Sequence, residues 1–232
     1  MERYLQETLL LNYSHALIQK IIDDNGWRNH NDTSKILNSY NYVRDSIPFG
    51  FNSNDASSAA KVLLDGYGQC NTKGILFMAF LRALGIPCRI HGFMIGKQLQ
   101  KGAISGPFYE LSPEEILHSW VEIYYKGKWL NLEGFILDIA YLTKLQEKFR
   151  QPTGSFCGYG VATNDFNNPP IYWEEGDTYI QKEGIVKDLG TFDHPDQLFS
   201  VHKQQLNKVK TLLYKYFVRR IMNYNIRQIR QG

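Results

Sequence analysis

The feature that most constrains this chain is a cysteine placed just before a long apolar run. Cys70 follows the glycine-containing stretch 66–69, and the apolar residues 75–81 lead to Gly85 and Pro87. Glycine and proline in this order are a strong helix-stop signal. A helix that is apolar on every side must be buried on every side. The sequence therefore predicts a buried helix that begins at Cys70.

The position of Cys70 favours a reactive thiol. Free N–H groups and the helix dipole concentrate positive potential at a helix N-terminus, which lowers the pKa of a thiol and favours the nucleophilic thiolate. The alternative interpretation is a buried structural cysteine. The glycine-containing approach to the helix leaves both interpretations open.

Length and composition indicate a globular protein. The chain has 232 residues, of which 43% are hydrophobic, 14% aromatic and 21% charged. This composition excludes a disordered chain. There is no internal repeat, low-complexity linker or clear boundary, so we predict a single domain over residues 1–232.

The cysteine count and the N-terminal sequence indicate in which cellular compartment the protein works. The three cysteines, Cys70, Cys88 and Cys157, show no paired spacing, which argues against a disulfide framework and suits a reducing compartment. The N-terminal residues resemble neither a signal peptide nor a membrane span. We therefore expect a cytoplasmic protein without a membrane partner.

Apolar periodicity predicts mixed helix and sheet. The predicted helices are residues 2–24, a helix capped by Thr33 or Ser34, residues 55–64, a short helix opened by residues 112–115, residues 138–150, and a long C-terminal helix capped by residues 194–196. The apolar stripe of that last helix is Leu198, Val201, Val209, Leu213, Tyr216 and Phe217. Strands are predicted at residues 88–95, 118–125 and 128–133, with short strands at 171–173 and 178–180.

Two of these strands form a predicted hairpin that brings a histidine near a carboxylate. Residues 118–125 and 128–133 alternate on either side of a turn at residues 126–127. In this register His118 and Glu133 are diagonal neighbours on one face, roughly 7–8 Å apart. A carboxylate on one imidazole nitrogen leaves the other free to accept a thiol proton. A structural histidine and a solvated glutamate remain the alternatives.

Three segments of the chain resemble the transglutaminase-like superfamily, whose members share a papain-like Cys-His-Asp core. They are residues 68–89, residues 118–124 and residues 129–133, and the resemblance places the core of the domain at about residues 40–138. The resemblance implies an α+β fold in which the buried cysteine helix packs on an antiparallel sheet, with extra N- and C-terminal helices. It also implies that Cys70 is the nucleophile, His118 the base and Glu133 the orienting acid. The family usually has Asp at this last position.

The resemblance implies attack on a peptide or amide carbonyl and passage through a thioester, without a cofactor. The oxyanion would lie near the backbone N–H of Cys70. Gln69 is a candidate second donor, or it only stabilises the turn. Trp120 either walls the acyl pocket or covers the sheet. Water as acceptor gives hydrolysis and an amine gives cross-linking, and we favour hydrolysis of a peptide or amide, including one within a protein.

Three interpretations from other classes remain open. A zinc site could draw on His91 and the three cysteines, but no Cys-x-x-Cys pair exists. A nucleic-acid binder could use the tail from His194 to Gly232, which carries eight Lys or Arg and one acid, Asp196. The apolar stripe of the tail favours a helix that docks on the core instead. A catalytically silent interaction module is the third. No metal ligand set or oligomeric state is predicted, and the irregular segment 97–117 has no assigned role.

Overall fold

A helix that begins at the cysteine packs on an antiparallel sheet at the centre of the fold. The computed structural model describes residues 1–150, 154–202 and 208–231. Its helices and strands, in chain order, are α1 (Ala16–Asp24), α2 (Asp32–Asn41), α3 (Ala59–Asp65), α4 (Cys70–Ala83), β1 (Cys88–Gly96), α5 (Pro107–Glu110), β2 (Glu115–Tyr125), β3 (Lys128–Leu132), α6 (Ile139–Lys148), β4 (Phe156–Gly158), β5 (Val161–Thr163), β6 (Ile185–Phe192), α7 (Pro195–Val201), α8 (Lys208–Leu213) and α9 (Arg219–Gln231).

Helix α4 forms where the sequence predicts it, and local signals fix both of its ends. The backbone N–H of Gln69 donates to Thr72 Oγ1 at 3.0 Å, as part of a capping arrangement at the first turn. Gly85 adopts a φ of +80° directly after the helix, a conformation that favours glycine. Every residue from Cys70 to Arg82 is buried, as an all-round apolar helix requires.

The main sheet has four antiparallel strands in the order β3-β2-β1-β6, and α4 packs on β2 and β1. The predicted hairpin register is confirmed, because Val121 pairs with Leu132 across the turn. Lys126 and Gly127 have φ values of +48° and +84°, the left-handed pair that a tight two-residue turn demands. The α+β fold class, with a buried cysteine helix on an antiparallel sheet and added terminal helices, is therefore confirmed.

The N-terminal prediction was only partly right. Regular α-helix begins at Ala16 rather than near residue 2, because the His15 ring accepts a hydrogen bond from Leu17 N and caps α1 at that point. The preceding residues are held instead by a distant carboxylate. Thr8 Oγ1 and Leu10 N both donate to Asp196, at 2.5 and 3.2 Å. Tertiary contacts override the helical periodicity here.

Further element predictions were wrong in detail. Asn31, rather than Thr33 or Ser34, caps α2, and the third helix, predicted at residues 55–64, is Ala59–Asp65. Residues 112–115 do not open a helix, because Glu115 pairs with Gly96 as the first residue of β2. Residues 171–173 and 178–180 are not strands, and the edge strand β6 was missed. Part of the predicted helix 138–150 lies as expected, as α6 with Asp138 as its cap.

The C-terminal stripe was also misassigned. Val201, Tyr216 and Phe217 are 67%, 46% and 61% exposed and Leu213 is 40% exposed, whereas Leu198 is buried as predicted. The side chain of Val209 lies outside the described residues. The buried side chains of this region are Met222, Ile226 and Ile229. Among the described residues, no helix is both long enough and apolar enough to cross a membrane.

Lys73 is a fully buried cation one turn into α4. Its Nζ donates to the backbone oxygens of Arg44 and Ile136, at 3.1 and 2.8 Å. Burial lowers the pKa of Lys73 to about 7, although the nearby carboxylates of Asp138 and Asp45 oppose the shift. Two backbone carbonyl groups therefore hold the Lys73 amine, and removing its positive charge from water costs free energy.

This burial predicts a pH-dependent stability. The unfolded chain keeps its Lys73 proton up to about pH 10.4, so between about pH 7 and 10 it binds one proton more than the folded chain. The contribution of Lys73 to the free energy of unfolding should therefore rise with pH, by up to ~1.4 kcal/mol per unit. Urea unfolding at both ends of this range should show a more positive pH slope in the native chain than in Lys73→Met, because the other titrating groups contribute equally to both proteins. Equal slopes for the two proteins would contradict the assignment.

Candidate active site

The structure brings Cys70, His118 and Glu133 together at one end of the sheet. Cys70 is the first residue of α4 and is 9% exposed, while His118 on β2 and Glu133 just after β3 are fully buried. His118 Nε2 lies 2.7 Å from Glu133 Oε1. The diagonal approach expected from the hairpin register is therefore present as a hydrogen bond between the two side chains.

The second imidazole nitrogen is directed to the cysteine side. His118 Nδ1 is buried and makes no hydrogen bond of normal geometry with any described residue. Burial opposes the charged ring, but the interaction with Cys70, followed by the interaction with Glu133, raises the pKa of His118 to about 10. The Cys70 sulfur is thus close enough to act on the ring electrostatically. Such contacts in a substrate-free enzyme are often longer than a formed hydrogen bond.

A cradle of backbone N–H groups holds the other oxygen of Glu133. Glu133 Oε2 accepts hydrogen bonds from the backbone N–H groups of Ile180, Gln181 and Lys182, at 2.8, 2.9 and 3.1 Å. Successive N–H groups that converge in this way bind anions. The carboxylate is consequently fixed in position, with Oε1 left to face His118. Sequence patterns predict a short strand at residues 178–180 but do not indicate this contact.

Two polar side chains tie the start of α4 to the strand that carries the histidine. Asn71 Nδ2 donates to Leu117 O at 3.1 Å, and Ser119 Oγ donates to Asn71 Oδ1 at 2.8 Å. These contacts lie on either side of His118 along β2. They fix the distance between Cys70 and the ring, and sequence reasoning missed them. The signal that could have found them is a polar residue directly after both Cys70 and His118.

The amide of Gln69 is occupied by contacts with a neighbouring loop. Gln69 Oε1 accepts from Asn52 N at 2.7 Å, and Gln69 Nε2 donates to Asp55 Oδ1 at 2.6 Å. Burial raises the pKa of Asp55, which the hydrogen bonds from Gln69 and Asn71 partly counteract. These contacts match the interpretation in which Gln69 stabilises the turn before Cys70.

Trp120 lies on the same strand face as His118 and is 7% exposed. Its ring packs on Phe93 and Tyr179, with centroid distances of 4.1 and 5.6 Å. Its Nε1 is buried and has no hydrogen-bond partner among the described residues. Trp120 therefore covers the sheet and also holds an unused N–H donor, which a buried indole rarely leaves unpaired.

A residue from the C-terminal helical segment also borders the site. Tyr214 Oη donates to Asn52 O at 3.2 Å, which places the phenol beside the loop that Gln69 braces. Burial raises the pKa of Tyr214, and the negative charges of Asp55 and Cys70 add to the rise. The hydroxyl is therefore near the Cys70 sulfur. No local sequence pattern could have indicated this contact.

The residues considered for a zinc site are engaged separately. Cys88 is buried against Met78 O, and Cys157 is exposed on β4. The His91 ring bonds to Glu122 at 2.7 Å and Asp188 at 2.8 Å. Among residues 1–150, 154–202 and 208–231, no group of three or more His, Cys, Asp or Glu residues is arranged to hold a metal ion.

Comparisons with known proteins agree with this architecture. The family model described as the transglutaminase-like superfamily matches residues 24–134, which include Cys70, His118 and Glu133. A solved structure of a candidate cysteine protease from Cytophaga hutchinsonii is 20% identical, with a TM-score of 0.44. That alignment covers 58% of this chain and 42% of the other, so this chain spans less than half of the Cytophaga hutchinsonii protein. The comparison with curated proteins found no match. Over residues 24–134, this chain is therefore similar to the transglutaminase-like superfamily.

Proposed function

We propose that the protein is a cysteine-dependent acyl-transfer enzyme that cleaves a peptide or amide bond through a thioester. The observation that carries this proposal is the order Cys70, His118, Glu133, in which the ring joins a buried carboxylate on one nitrogen and faces the sulfur with the other. Nucleophile, base and orienting group then stand in the arrangement that covalent catalysis requires.

The proposed first half-reaction forms the thioester. The Cys70 thiolate attacks the carbonyl carbon, and the carbonyl oxygen becomes an oxyanion beside the backbone N–H of Cys70, which is one of the unpaired donors of a first helical turn. The protonated His118 then gives its Nδ1 proton to the leaving nitrogen as the C–N bond breaks. Glu133 keeps the Nε2 proton in place throughout, so the ring acts only through Nδ1.

The proposed second half-reaction releases the acyl group. Neutral His118 takes a proton from water, the resulting hydroxide attacks the thioester, and the C–S bond breaks to return the Cys70 thiolate and a carboxylic acid. An amine in place of water would give a new amide. We favour hydrolysis because it needs no second bound substrate.

The experiment that tests this proposal is a profile against a library of peptides and simple amides, with and without an added primary amine, read by mass spectrometry. We expect acid products from the native chain and none from Cys70→Ala. Amide products that dominate when the amine is present would instead assign transamidation. If the native chain turns over nothing in the library, and labelling of Cys70 is no faster than that of the other cysteines, the silent interaction module replaces the enzyme.

We propose that Trp120 Nε1 is the second donor to the oxyanion, because it is a buried and unpartnered N–H on the strand face of His118. Trp120→Phe removes this donor and keeps an aromatic ring against Phe93. Loss of one oxyanion donor costs about 10²–10³-fold in kcat, so we expect a fall of that order with little change in KM. Steady-state kinetics of the two proteins check it. A fall below about threefold would leave Trp120 as a cover for the sheet.

We also propose that the chain forms one domain that works in a reducing compartment such as the cytoplasm. Cys70, Cys88 and Cys157 are all free thiols, and oxidation would inactivate a thiolate nucleophile. A single cooperative unfolding transition, coincident by circular dichroism and fluorescence, is expected for the one-domain arrangement.

A further inference from the structure

The C-terminal helical segment, residues 208–231, exposes an apolar stripe that the other described residues leave uncovered. Leu213, Phe217, Ile221 and Tyr224 follow one another at spacings of four, four and three residues, and their exposed fractions are 40%, 61%, 38% and 55%. Residues at these spacings lie on one side of a helix. We call this stripe and the basic residues that flank it the C-terminal ridge.

The ridge is on the outer side of the segment, because the inner side is fixed to the protein. Met222, Ile226 and Ile229 are buried. Asn223 holds the backbone of Phe51 at both its N–H and its C=O, at 2.7 and 3.0 Å. The ridge is therefore not a face that waits to dock on its own core. It stands out from the surface on a helix that is already anchored.

The flanks of the ridge are positively charged and unneutralised. Lys215, Arg220 and Arg227 are exposed, and none forms an ion pair within the part of the chain that the structure describes. The sequence has no Asp or Glu after Asp196. A partner of this surface must accept both apolar side chains and several cations.

We propose that the C-terminal ridge docks on an anionic lipid surface, with its helix parallel to the plane of the membrane. A helix with Leu, Ile and Phe on one side and Lys or Arg beside them is suited to the boundary between headgroups and acyl chains. Anionic headgroups attract each basic residue that comes near the surface. This replaces our expectation of no membrane partner, because Leu213 and Phe217 were expected to face the core.

The shape and charge of the ridge disfavour the other occupants. If two copies of the chain paired through their ridges, Arg220 and Arg227 of one copy would face the same two cations of the other. Single-stranded nucleic acid would stack on Tyr224 but would give no role to Leu213 and Ile221. A peptide helix is usually received in a groove rather than on a projecting helix. A flat anionic surface accepts a projecting helix without steric conflict.

The test is binding of the full chain to vesicles of phosphatidylcholine alone and of phosphatidylcholine mixed with phosphatidylglycerol, by co-sedimentation. We expect binding only to the mixed vesicles, weakened by added salt. Phe217→Ser should weaken it about tenfold or more, since it removes an inserted apolar side chain. Arg220→Ser with Arg227→Ser should weaken it about fivefold per charge. Phe217, Arg220 and Arg227 are all exposed, so the variants should fold, and thermal unfolding checks this.

The matched control is Lys128→Ser with Lys187→Ser, which removes the same charge from exposed positions on β3 and β6. It should bind mixed vesicles like the native chain. The proposal is overturned if the native chain ignores mixed vesicles, or if the control and the ridge variants lose binding equally. Binding to an oligonucleotide or self-association in sedimentation, without vesicle binding, would also overturn it. Because the assay does not measure turnover, its result is independent of the proposed enzyme activity.

Discussion

Replacing Cys70 by Ala is expected to lower kcat/KM by at least about 10⁴-fold, as removal of a nucleophile does in other covalent enzymes. The backbone N–H of residue 70 and the pocket remain in this variant, so only the sulfur is tested. Cys70 is buried at the start of α4, and its replacement by Ala removes only the sulfur atom, so the fold should survive.

The matched control is Cys157→Ser. Cys157 is an exposed thiol on β4, and burial of part of its surface raises its pKa. The variant should keep full activity. If Cys70→Ala kept a tenth or more of the native rate (about one order of magnitude, far from the expected loss), a different residue would carry the chemistry.

Glu133→Gln also has a large expected effect, because of the cradle that holds the carboxylate. The backbone N–H groups of residues 180–182 are donors, and the oxygen is the only acceptor atom on a Gln side-chain amide. The Gln oxygen must therefore occupy the cradle, and the amide N–H₂ must turn towards His118 Nε2. An N–H donor there forces the ring proton onto Nδ1, where it faces Cys70 and cannot accept the thiol proton.

We expect kcat/KM of Glu133→Gln to fall about 10–10³-fold. The corresponding change in serine proteases costs about 10⁴-fold, and a thiol depends less on its base because it is more acidic than a hydroxyl. Steady-state kinetics over a range of pH, with circular dichroism to confirm folding, measure the loss.

Glu133→Asp is the companion variant. It keeps the negative charge and shortens the side chain by one methylene, so it should retain more activity than Gln even though it cannot reach both the cradle and His118 fully. Equal, severe losses in the Asp and Gln variants would show that reach rather than charge matters. Full activity in both would remove Glu133 from the site and make Asn131 the next candidate, since it lies on the same strand face.

The parts of the site that follow local rules were predictable. Gly85 and Pro87 stop α4, and the apolar run before them buries it, so its position follows from the sequence. The turn at Lys126 and Gly127 sets the hairpin register, and the register sets which face His118 shares with Glu133. Both inferences use contacts between residues close together in the chain.

The parts that depend on distant residues were not predictable. The cradle for Glu133 consists of backbone N–H groups of residues 180–182, where the chain enters a short 3₁₀ turn and side-chain periodicity does not indicate which distant group the backbone contacts. The prediction of the C-terminal apolar stripe was wrong for another reason. Residues Tyr214–Val218 form a π-helical turn, which holds more residues per turn than an α-helix. The turn shifts the helical phase, so the residues that face the core are Met222 and Ile226 and not those spaced at α-helical intervals from Leu213.

The central claim is that His118 keeps a positive charge beside a nucleophilic Cys70, and cysteine labelling tests it most directly. Only about 0.3% of an ordinary thiol is ionised at pH 6. The pKa of His118 is raised to about 10, so the imidazolium persists from pH 6 until that value is approached. It should hold Cys70 reactive in acid, where other thiols are inert.

The measurement is the rate of iodoacetamide labelling of each cysteine in the full chain at about pH 6 and about pH 9, by peptide mass spectrometry. We predict that Cys70 reacts at least about tenfold faster than exposed Cys157 at pH 6. The ratio of the two labelling rates should be smaller at pH 9. In His118→Asn the advantage at pH 6 should disappear. Labelling of Cys157 before Cys70 at pH 6, or an unchanged Cys70 rate in His118→Asn, would contradict the account.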